Sequence, residues 1–353
     1  MGLGRFLARR IATFIPTIIG VIFLTYLIAY AIPANPVRAW VGGEKMVDPK
    51  LIERIRHEYK FDAPWYEQFT FLFTQLISGQ LRDPVRGKLV IVSLGERFPI
   101  TVELALFGMM FLLIISIPLG IAAALKKDTP IDFAVRFLAL FGSSMPSFVL
   151  YYLLILAFFT VLGITYLAGI PEPSRPCRLF VSNLPNVVPV VGYLGSYIGK
   201  IPMFGAMMCG EWSVVHETFK RMWLPGLALG LLSGGFVARI LRNSLLDALG
   251  SEYVLFARAR GLSKFRVWKH ALKNAMIPVV TVLGLQFGGF LAGAIIAETV
   301  FGIPGMGRYV YDAISRLNFP AIIGGTFLFA IVYVTVNLIV DILYAVIDPR
   351  VRY

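Results

Sequence analysis

The chain has 353 residues, of which 58% are hydrophobic and only 15% are charged, and its formal net charge at pH 7 is +13. Soluble globular domains are about 45–50% apolar and about 25% charged, so this composition excludes an ordinary soluble domain and indicates an integral membrane protein. The basic residues lie in short segments between apolar stretches, which is typical of membrane-protein loops and argues against a nucleic-acid-binding protein.

Six apolar stretches are each long enough to cross a bilayer, which takes about 20 predominantly apolar residues. In chain order they are Ile11–Ile32, Ile100–Leu125, Phe133–Leu162, Met222–Leu246, Ala275–Val300 and Pro320–Ile347. Lysine and arginine concentrate before the first stretch, after the second, between the fourth and the fifth, and after the sixth. With six spans these four positions share one side, which the positive-inside rule assigns to the cytoplasm. The sequence therefore predicts an all-α, multi-pass protein of the cell membrane with six transmembrane helices and both termini in the cytoplasm.

This topology divides the chain into an N-terminal segment with the first span at 1–32, an external segment at 33–97, and a core of five spans at 98–353. Two short amphipathic helices are predicted in the external segment. The first begins at Asp48, because an aspartate followed by Pro49 is typical of a helix start. The second ends at Gly79 and has apolar residues at helical spacing, namely Trp65, Phe69, Leu72 and Leu76.

A second external loop is predicted at 163–220, within the core. Its part at 187–209 is apolar enough to raise the question of a seventh span. Prolines and glycines interrupt that part, and a seventh crossing would move the basic C-terminus outside. The sequence therefore favours an external or re-entrant segment.

The only two cysteines of the chain, Cys177 and Cys209, both lie in this second external loop. An oxidising compartment lets disulfides persist, so the two residues are expected to pair, the alternative being two free thiols. The chain has no CxxC motif and no Cys/His cluster, and we expect neither a metal site nor a catalytic site.

The densest basic segment is Gly250–Lys273, between the fourth and fifth spans. Ser251 is expected to cap a helix. An apolar stripe at helical spacing then consists of Leu255, Ala259, Leu262, Phe265 and Trp268. Gly261 divides the segment, where it permits a bend or the close approach of another backbone. Two short helices along the membrane face follow from this pattern. The residues alone leave two roles open: docking to an acidic or phosphate-bearing partner, or binding to anionic lipid.

Several polar residues interrupt the predicted spans. Ser143, Ser144 and Pro146 break the third span, either as a polar kink facing a pathway or, as we favour, as a site of helix packing. Gln286 is a candidate pathway residue, and Glu298 either anchors an outer gate or caps the turn that follows it.

Charged residues in or near the spans are expected to have structural roles. We expect Glu103 to be solvated or hydrogen-bonded at the outer interface. Asp341 is expected to pair with a residue such as Arg239 or to reach cytoplasmic water. Arg136 and Arg239 are expected to extend to the cytoplasmic interface.

The stretch "ARARGLSKFRVWKHALKNAMIPV" resembles the EAA loop of ABC-importer permeases, in the form found in the oligopeptide/dipeptide class. Other stretches resemble the same class in the same order, closest to its B-type subunit. They are "RFLARRIATFIPTIIGVIFLTYLI", "FDAPWYEQFTFLFTQLISGQL", "RFPITVELAL", "AETVFGIPGMGRYVYDAI" and "LYAVIDPRVRY". There are two departures: the glutamate of the general EAA pattern falls on Leu255, and the loop at 165–215 is longer than is usual for the class.

The resemblance implies a type I importer permease that pairs with a second, homologous permease, two ATPase subunits and an external solute-binding protein. The loop would form a coupling helix that contacts an ATPase subunit, through residues matching Ala257, Arg258, Arg260, Gly261, Lys264 and Phe265. No GxxxxGK[ST] motif is present, so this chain would bind no cofactor, and its partners would use ATP and Mg²⁺.

The resemblance implies oligopeptides or dipeptides as substrates, with oligosaccharides or nickel complexes as the alternative. Two rivals from other classes remain: an ion-coupled secondary transporter, which usually has internal repeats and polar groups at the midplane, and a membrane scaffold that recruits an acidic partner.

Overall fold

The computed structural model describes residues 3–31, 37, 53, 56–57, 59–163, 168–187 and 195–347. Thirteen α-helices have their bounds within these ranges. They are α1 (Leu3–Ala31), α2 (Trp65–Ile77), α3 (Val90–Leu125), α4 (Pro130–Ser144), α5 (Ser147–Ile155), α6 (Arg175–Val187), α7 (Pro202–Met208), α8 (Trp212–Leu249), α9 (Glu252–Ala259), α10 (Lys264–Gly293), α11 (Ile295–Val300), α12 (Met306–Ser315) and α13 (Phe319–Ile347). A short π-helix, Leu156–Val161, continues α5.

Five helices are long and apolar enough to cross a membrane, and they are α1, α3, α8, α10 and α13. The predicted third span is not a straight helix. It is the pair α4 and α5 with the π-helix, bent by 110° at the break between Gly142 and Ser147. Pro146 lies in this break as the residue before α5, and its missing backbone N–H explains why the helix cannot continue. The described residues thus contain five candidate spans, or six if the bent pair counts as one.

The centre of the fold is the pair α3 and α8, which run parallel and touch along most of their length. Gly226 lies against Phe107, and Gly230 lies against Phe111, one turn further along both helices. A Cβ added at either glycine would lie 2.7 Å from the side chain of the opposing phenylalanine. These contacts explain the glycines at four-residue spacing, because only glycine lets the two backbones come this close.

Helix α9 joins the C-terminal end of α8 to the N-terminal end of α10, so these two helix ends lie at the same end of the bundle. We call this the basic end. Helix α13 runs antiparallel to α10, since Gly284 packs on Val340 and Gly288 on Val336. Arg10 near the start of α1 forms an ion pair with Asp341 of α13, with 3.1 Å between Arg10 Nε and Asp341 Oδ2. The start of α1 and the end of α13 therefore lie toward the basic end. Asp341 pairs with a basic residue as expected, but that residue is Arg10 and not Arg239.

The two central helices are longer than a bilayer requires. Helix α3 has 36 residues and α8 has 38, which correspond to about 54 Å and about 57 Å, against about 30 Å of hydrocarbon. They begin about ten residues before the predicted spans, and Trp212–Lys220 is helical although we expected it to be part of a loop. The two helices therefore project beyond the bilayer at the opposite end, where α2 and α12 share a second hydrophobic core with the start of α3. We call this part the outer layer.

The described part of the outer layer matches the sequence in part. Helix α2 ends at Ile77, just before Gly79, which has φ +70°. Its buried residues are Gln68, Leu72 and Leu76, whereas Trp65 is 54% exposed. The predicted helix start at Asp48 and Pro49 lies outside the described residues. In the described part of 187–209, α7 has only seven residues, too few to span a membrane.

Candidate functional site

The basic segment forms two helices at the basic end, α9 and the first turns of α10, joined by a tight turn. Gly261 has φ +75°, a conformation that glycine adopts without steric cost. Its N–H donates to the Arg258 carbonyl at 2.9 Å, and the N–H of Leu262 donates to the Ala257 carbonyl at 3.2 Å. This pair of bonds is the Schellman motif that ends a helix. Gly261 therefore serves a turn, as the sequence indicated.

One face of α9 packs on the bundle and the other faces out. Val254 is fully buried, and Ala257 and Leu262 pack partly buried against the main core. Leu255, Phe256 and Phe265 face outward, with exposures of 58%, 70% and 70%. The predicted stripe is thus divided: Leu255, Ala259 and Phe265 face outward, whereas Leu262 turns toward the core. The outward face combines large apolar side chains with basic ones, as a surface that docks to another protein does.

The basic side chains of this face have no acidic partner among the described residues. Arg258, Arg260 and Lys264 are exposed, and none forms an ion pair there. Ser251 precedes α9, but its hydroxyl donates back to the Ala248 carbonyl at 2.5 Å and does not cap the new helix. The expected capping role of the Ser251 side chain is therefore wrong. The segment is held by packing of Val254 and by the Schellman turn instead.

The candidate pathway residues do not form one site. Ser144 and Pro146 are exposed at the break between α4 and α5, and the side chain of Ser143 lies outside the described residues. Gly142 packs closely on α8, where an added Cβ would lie 2.9 Å from the Leu232 carbonyl oxygen. That contact favours the helix-packing interpretation. Gln286 is partly exposed on α10.

Glu298 is completely buried, so it does not line a pathway. Its Oε1 accepts a hydrogen bond from the Thr101 hydroxyl at 2.6 Å, and its Oε2 accepts one from the Arg308 N–H at 2.9 Å. The Thr101 hydroxyl oxygen also accepts the N–H of Met306 at 2.9 Å. The N–H groups of Met306 and Arg308 belong to the first turn of α12, which carries a partial positive charge. Of the two alternatives, the structure favours capping of the turn.

A second buried carboxylate, Asp83, was not recognised in the sequence. It is fully buried and accepts hydrogen bonds from the Tyr309 hydroxyl at 2.8 Å and the Asn318 amide at 2.7 Å. Burial, followed by the Asp83 carboxylate, raises the pKa of Tyr309, so its hydroxyl keeps the proton that it donates. The guanidinium groups of Arg86 and Arg97 each lie 5.0 Å from the Tyr309 ring centroid. This network holds α12 against the segment that joins α2 to α3.

A third buried carboxylate, Asp132 of α4, lies toward the basic end. Arg242 of α8 donates to both of its oxygens, at 3.0 and 2.7 Å, and Arg136 donates to it from one turn along α4. Arg136, which was expected to extend to the interface, has a side chain that is 39% exposed and pairs with Asp132 and Asp128. The guanidinium of Arg239 lies 5.6 Å from the Phe236 ring centroid. The Asp132 contacts tie the bent helix pair to α8.

Glu103 of α3 is 1% exposed, so it is buried and hydrogen-bonded rather than solvated. Its Oε1 accepts the N–H of Met203 at the start of α7, at 2.9 Å. The segment that carries α7 is also held to α6, because Cys177 and Cys209 are joined by a disulfide with Cα atoms 5.7 Å apart. Glu211, just before α8, accepts hydrogen bonds from the hydroxyl and the N–H of Ser174, which lower the pKa of Glu211.

Two sequence profiles match the chain. The family described as the inner membrane component of binding-protein-dependent transport systems matches residues 116–353, and the N-terminal part of such membrane components matches residues 3–105. The dipeptide transport system permease protein of Escherichia coli is 35% identical over 351 residues, covering 99% of each chain. Its counterpart from Alkalihalophilus pseudofirmus is 34% identical over 347 residues, covering 98% of each chain. The di/tripeptide transport system permease protein of Pseudomonas aeruginosa is 36% identical over 350 residues, covering 99% of this chain and 98% of the relative.

Proposed function

The chain belongs to the family of inner membrane components of binding-protein-dependent transport systems, and we propose that it is the permease subunit of a peptide importer. It is a multi-pass membrane protein, since five or more of its helices are long and apolar enough to span a bilayer. The observation that carries the substrate class is its similarity, at about 35% identity over nearly the whole chain, to dipeptide permeases. None of the relatives compared above is named for oligosaccharides or nickel, so we propose neither alternative.

The outward face of the basic segment is proposed to dock on an ATPase subunit. Its exposed Leu255, Phe256 and Phe265 would enter an apolar cleft, and Arg258 and Lys264 would meet acidic groups at the rim. Interfaces of this kind combine an apolar centre with a charged surround. Hydrolysis of ATP with Mg²⁺ would take place in that partner. The permease family is not itself catalytic.

The proposed complex contains this chain, a second homologous permease, two ATPase subunits and an external solute-binding protein. The basic end would face the cytoplasm, because the densest Lys and Arg segment lies there together with the start of α1 and the end of α13. The six-span topology requires the bent pair α4 and α5 to count as one crossing. The outer layer would then face the binding protein that delivers the peptide.

The packing of α9 explains how a docked ATPase could act on the pathway. Val254 is buried and Ala257 packs on the core, so a movement of α9 would displace the end of α8 and the start of α10. Close-packed interiors transmit such displacements. Closure of the ATPase subunits would therefore shift both helices together, and with them the wall of the translocation path.

Uptake of radiolabelled alanyl-alanine tests the proposed function. Cells that lack the gene should take up less peptide than cells with the gene restored, and ATP depletion should abolish the difference. Uptake that persists without ATP but depends on an ion gradient would favour the secondary transporter. Affinity purification of the chain should also recover ATPase subunits and a second permease.

Orientation is tested separately with a single cysteine at the basic end. The Lys264→Cys variant should react with a membrane-impermeant maleimide in inside-out vesicles and not in intact cells. Reaction from outside intact cells would refute the proposed orientation.

A further inference from the structure

A cleft of ≈ 560 Å³ opens at the basic end of the bundle. It lies between the last turns of α8 and the beginning of the apolar part of α10, beside the first turn of α9. Its lining includes Ser244, Asp247, Tyr253, Asn274 and Pro278. This volume lies within the range of about 300–1,000 Å³ that is usual for small-molecule sites. None of the predicted site residues lines it.

The cleft is rich in hydrogen-bond acceptors. Asp247 supplies a carboxylate that forms no ion pair with another described residue. Pro278 has no N–H, so the main-chain carbonyl of Asn274, four residues earlier in α10, lacks its usual helical donor. The hydroxyls of Ser244 and Tyr253 can accept as well as donate. A ligand that matches this lining presents several donors and a positive charge.

The surroundings of the cleft have the opposite charge. The segment that follows it carries seven basic residues, which are Arg258, Arg260, Lys264, Arg266, Lys269, His270 and Lys273. A small cation would be repelled from most of this end and attracted at its few carboxylates, among them Asp247 in the cleft lining and Glu252 beside it in the first turn of α9. A zwitterion would find both signs there, an acceptor-lined cleft for its ammonium group and a basic surrounding for its carboxylate.

We propose that this cleft is an exit subsite that binds the free α-ammonium group of a peptide through Asp247 and the Asn274 carbonyl. The inference rests on the proposed function and on the basic end facing the cytoplasm. An –NH₃⁺ group has three donors and no acceptor, which matches the Asp247 carboxylate and the Asn274 carbonyl. The subsite would hold the peptide on the inner side after it has crossed, and an N-acetylated peptide would lose both the charge and two donors.

The test measures protection of a single thiol in the cleft by a defined peptide. The Ala248→Cys variant is expressed with its partner subunits, and inside-out vesicles are labelled with a maleimide. Both native cysteines are joined in the disulfide, so the new thiol is the reactive one. Labelling rates are compared with no peptide, with alanyl-alanine and with N-acetyl-alanyl-alanine at the same millimolar concentration. Ile277→Cys, also in the lining, serves as a second reporter.

Alanyl-alanine should slow labelling, and the N-acetylated peptide should leave the rate unchanged. Removing a charged hydrogen-bond partner typically weakens binding by about tenfold or more. Asp247→Asn should therefore require about tenfold more alanyl-alanine for the same protection, and Asp247→Glu should retain part of it. Asp62→Asn, a change of the same charge in the external segment, should not alter protection.

Four results would overturn the inference. Equal protection by both peptides, or unchanged protection in Asp247→Asn, would show that the ammonium group is not recognised. Absence of protection in a carrier that still imports alanyl-alanine would overturn the subsite and leave the proposed function standing. Absence of alanyl-alanine uptake by cells with the wild-type gene would refute the proposed function for this peptide, and the subsite with it.

Discussion

Gly261 gives the sharpest test of how the basic segment is built. Its φ of +75° disfavours any residue with a Cβ, yet an added Cβ would meet no atom within 4 Å. Inside this chain, substitution is therefore opposed by backbone strain and not by lack of room. An L-residue in the left-handed region costs roughly 1–2 kcal/mol, asparagine less than most, and a β-branched residue more.

Three substitutions separate strain from contact with a partner. If backbone strain decides, the loss of uptake should increase in the order Gly261→Asn, Gly261→Ala, Gly261→Val. The population of the native turn should be about 5-fold lower for alanine and about 30-fold lower for valine. If close approach of an ATPase subunit decides, alanine should be the mildest because its side chain is the smallest.

Two measurements on the same membranes decide the order. Uptake of alanyl-alanine is normalised to the amount of inserted variant, and the ATPase subunit that co-purifies is quantified. The spans keep their hydrophobicity, so all three variants should insert in equal amounts. If the alanine variant retains more uptake than the asparagine variant, the strain argument is wrong; wild-type uptake by the valine variant would refute any dependence on this turn.

Three further predictions concern the contacts that hold the fold. Glu298→Gln should lower the free energy of unfolding in detergent by about 2 kcal/mol, because one charged acceptor is lost, and an unchanged melting temperature would contradict the capping role. Cys177→Ser should speed proteolysis of the outer segment, since closing a loop with sequence separation 32 stabilises it by roughly 3–4 kcal/mol; alkylation of both Cys177 and Cys209 in the unreduced wild type would contradict the bond. Asp132→Asn should lower the free energy of unfolding by about 3–5 kcal/mol, because it leaves the guanidinium of Arg242 without its charged partner. Adding Arg242→Gln should recover part of this loss, and additive losses would contradict the coupling.

The spans were predictable because each depends on its own residues. The last one was predicted at Pro320–Ile347 and found at Phe319–Ile347, and its boundaries follow from local hydropathy alone. Hydropathy failed where a helix leaves the bilayer. Helix α3 begins at Val90 and α8 at Trp212, in sequence that carries Glu96, Arg97 and Lys220. A helix that lies in water carries polar residues, so a measure of hydrophobicity alone does not distinguish it from a loop.

The partners of the buried charges could not be predicted from one sequence. Asp341 meets Arg10 across 331 positions, and Thr101 meets Glu298 across 197. Such pairs depend on how the helices are arranged, and the residue types allow several pairings at each site. For Asp83, one local signal was available: a charged residue four positions before Gly87, in a turn, is typical of side chains that bond to nearby backbone N–H groups. Its hydrogen bonds to the N–H groups of Val85 and Arg86 fit that signal.

Helix α8 connects the two ends of the proposed transporter. One end leads into the basic segment and lines the cleft, and the other begins at Trp212, about 57 Å away. Glycines at four-residue spacing lock α8 to α3, and Arg242 holds α4 to it through Asp132. If the basic segment docks on an ATPase subunit as proposed, we expect these three helices to move together when that segment is displaced. Beyond the break at Pro146 the chain packs on α8 again, since Phe158 of the π-helix lies edge-on to Trp223 with ring centroids 5.0 Å apart, so this segment belongs to the same packed unit.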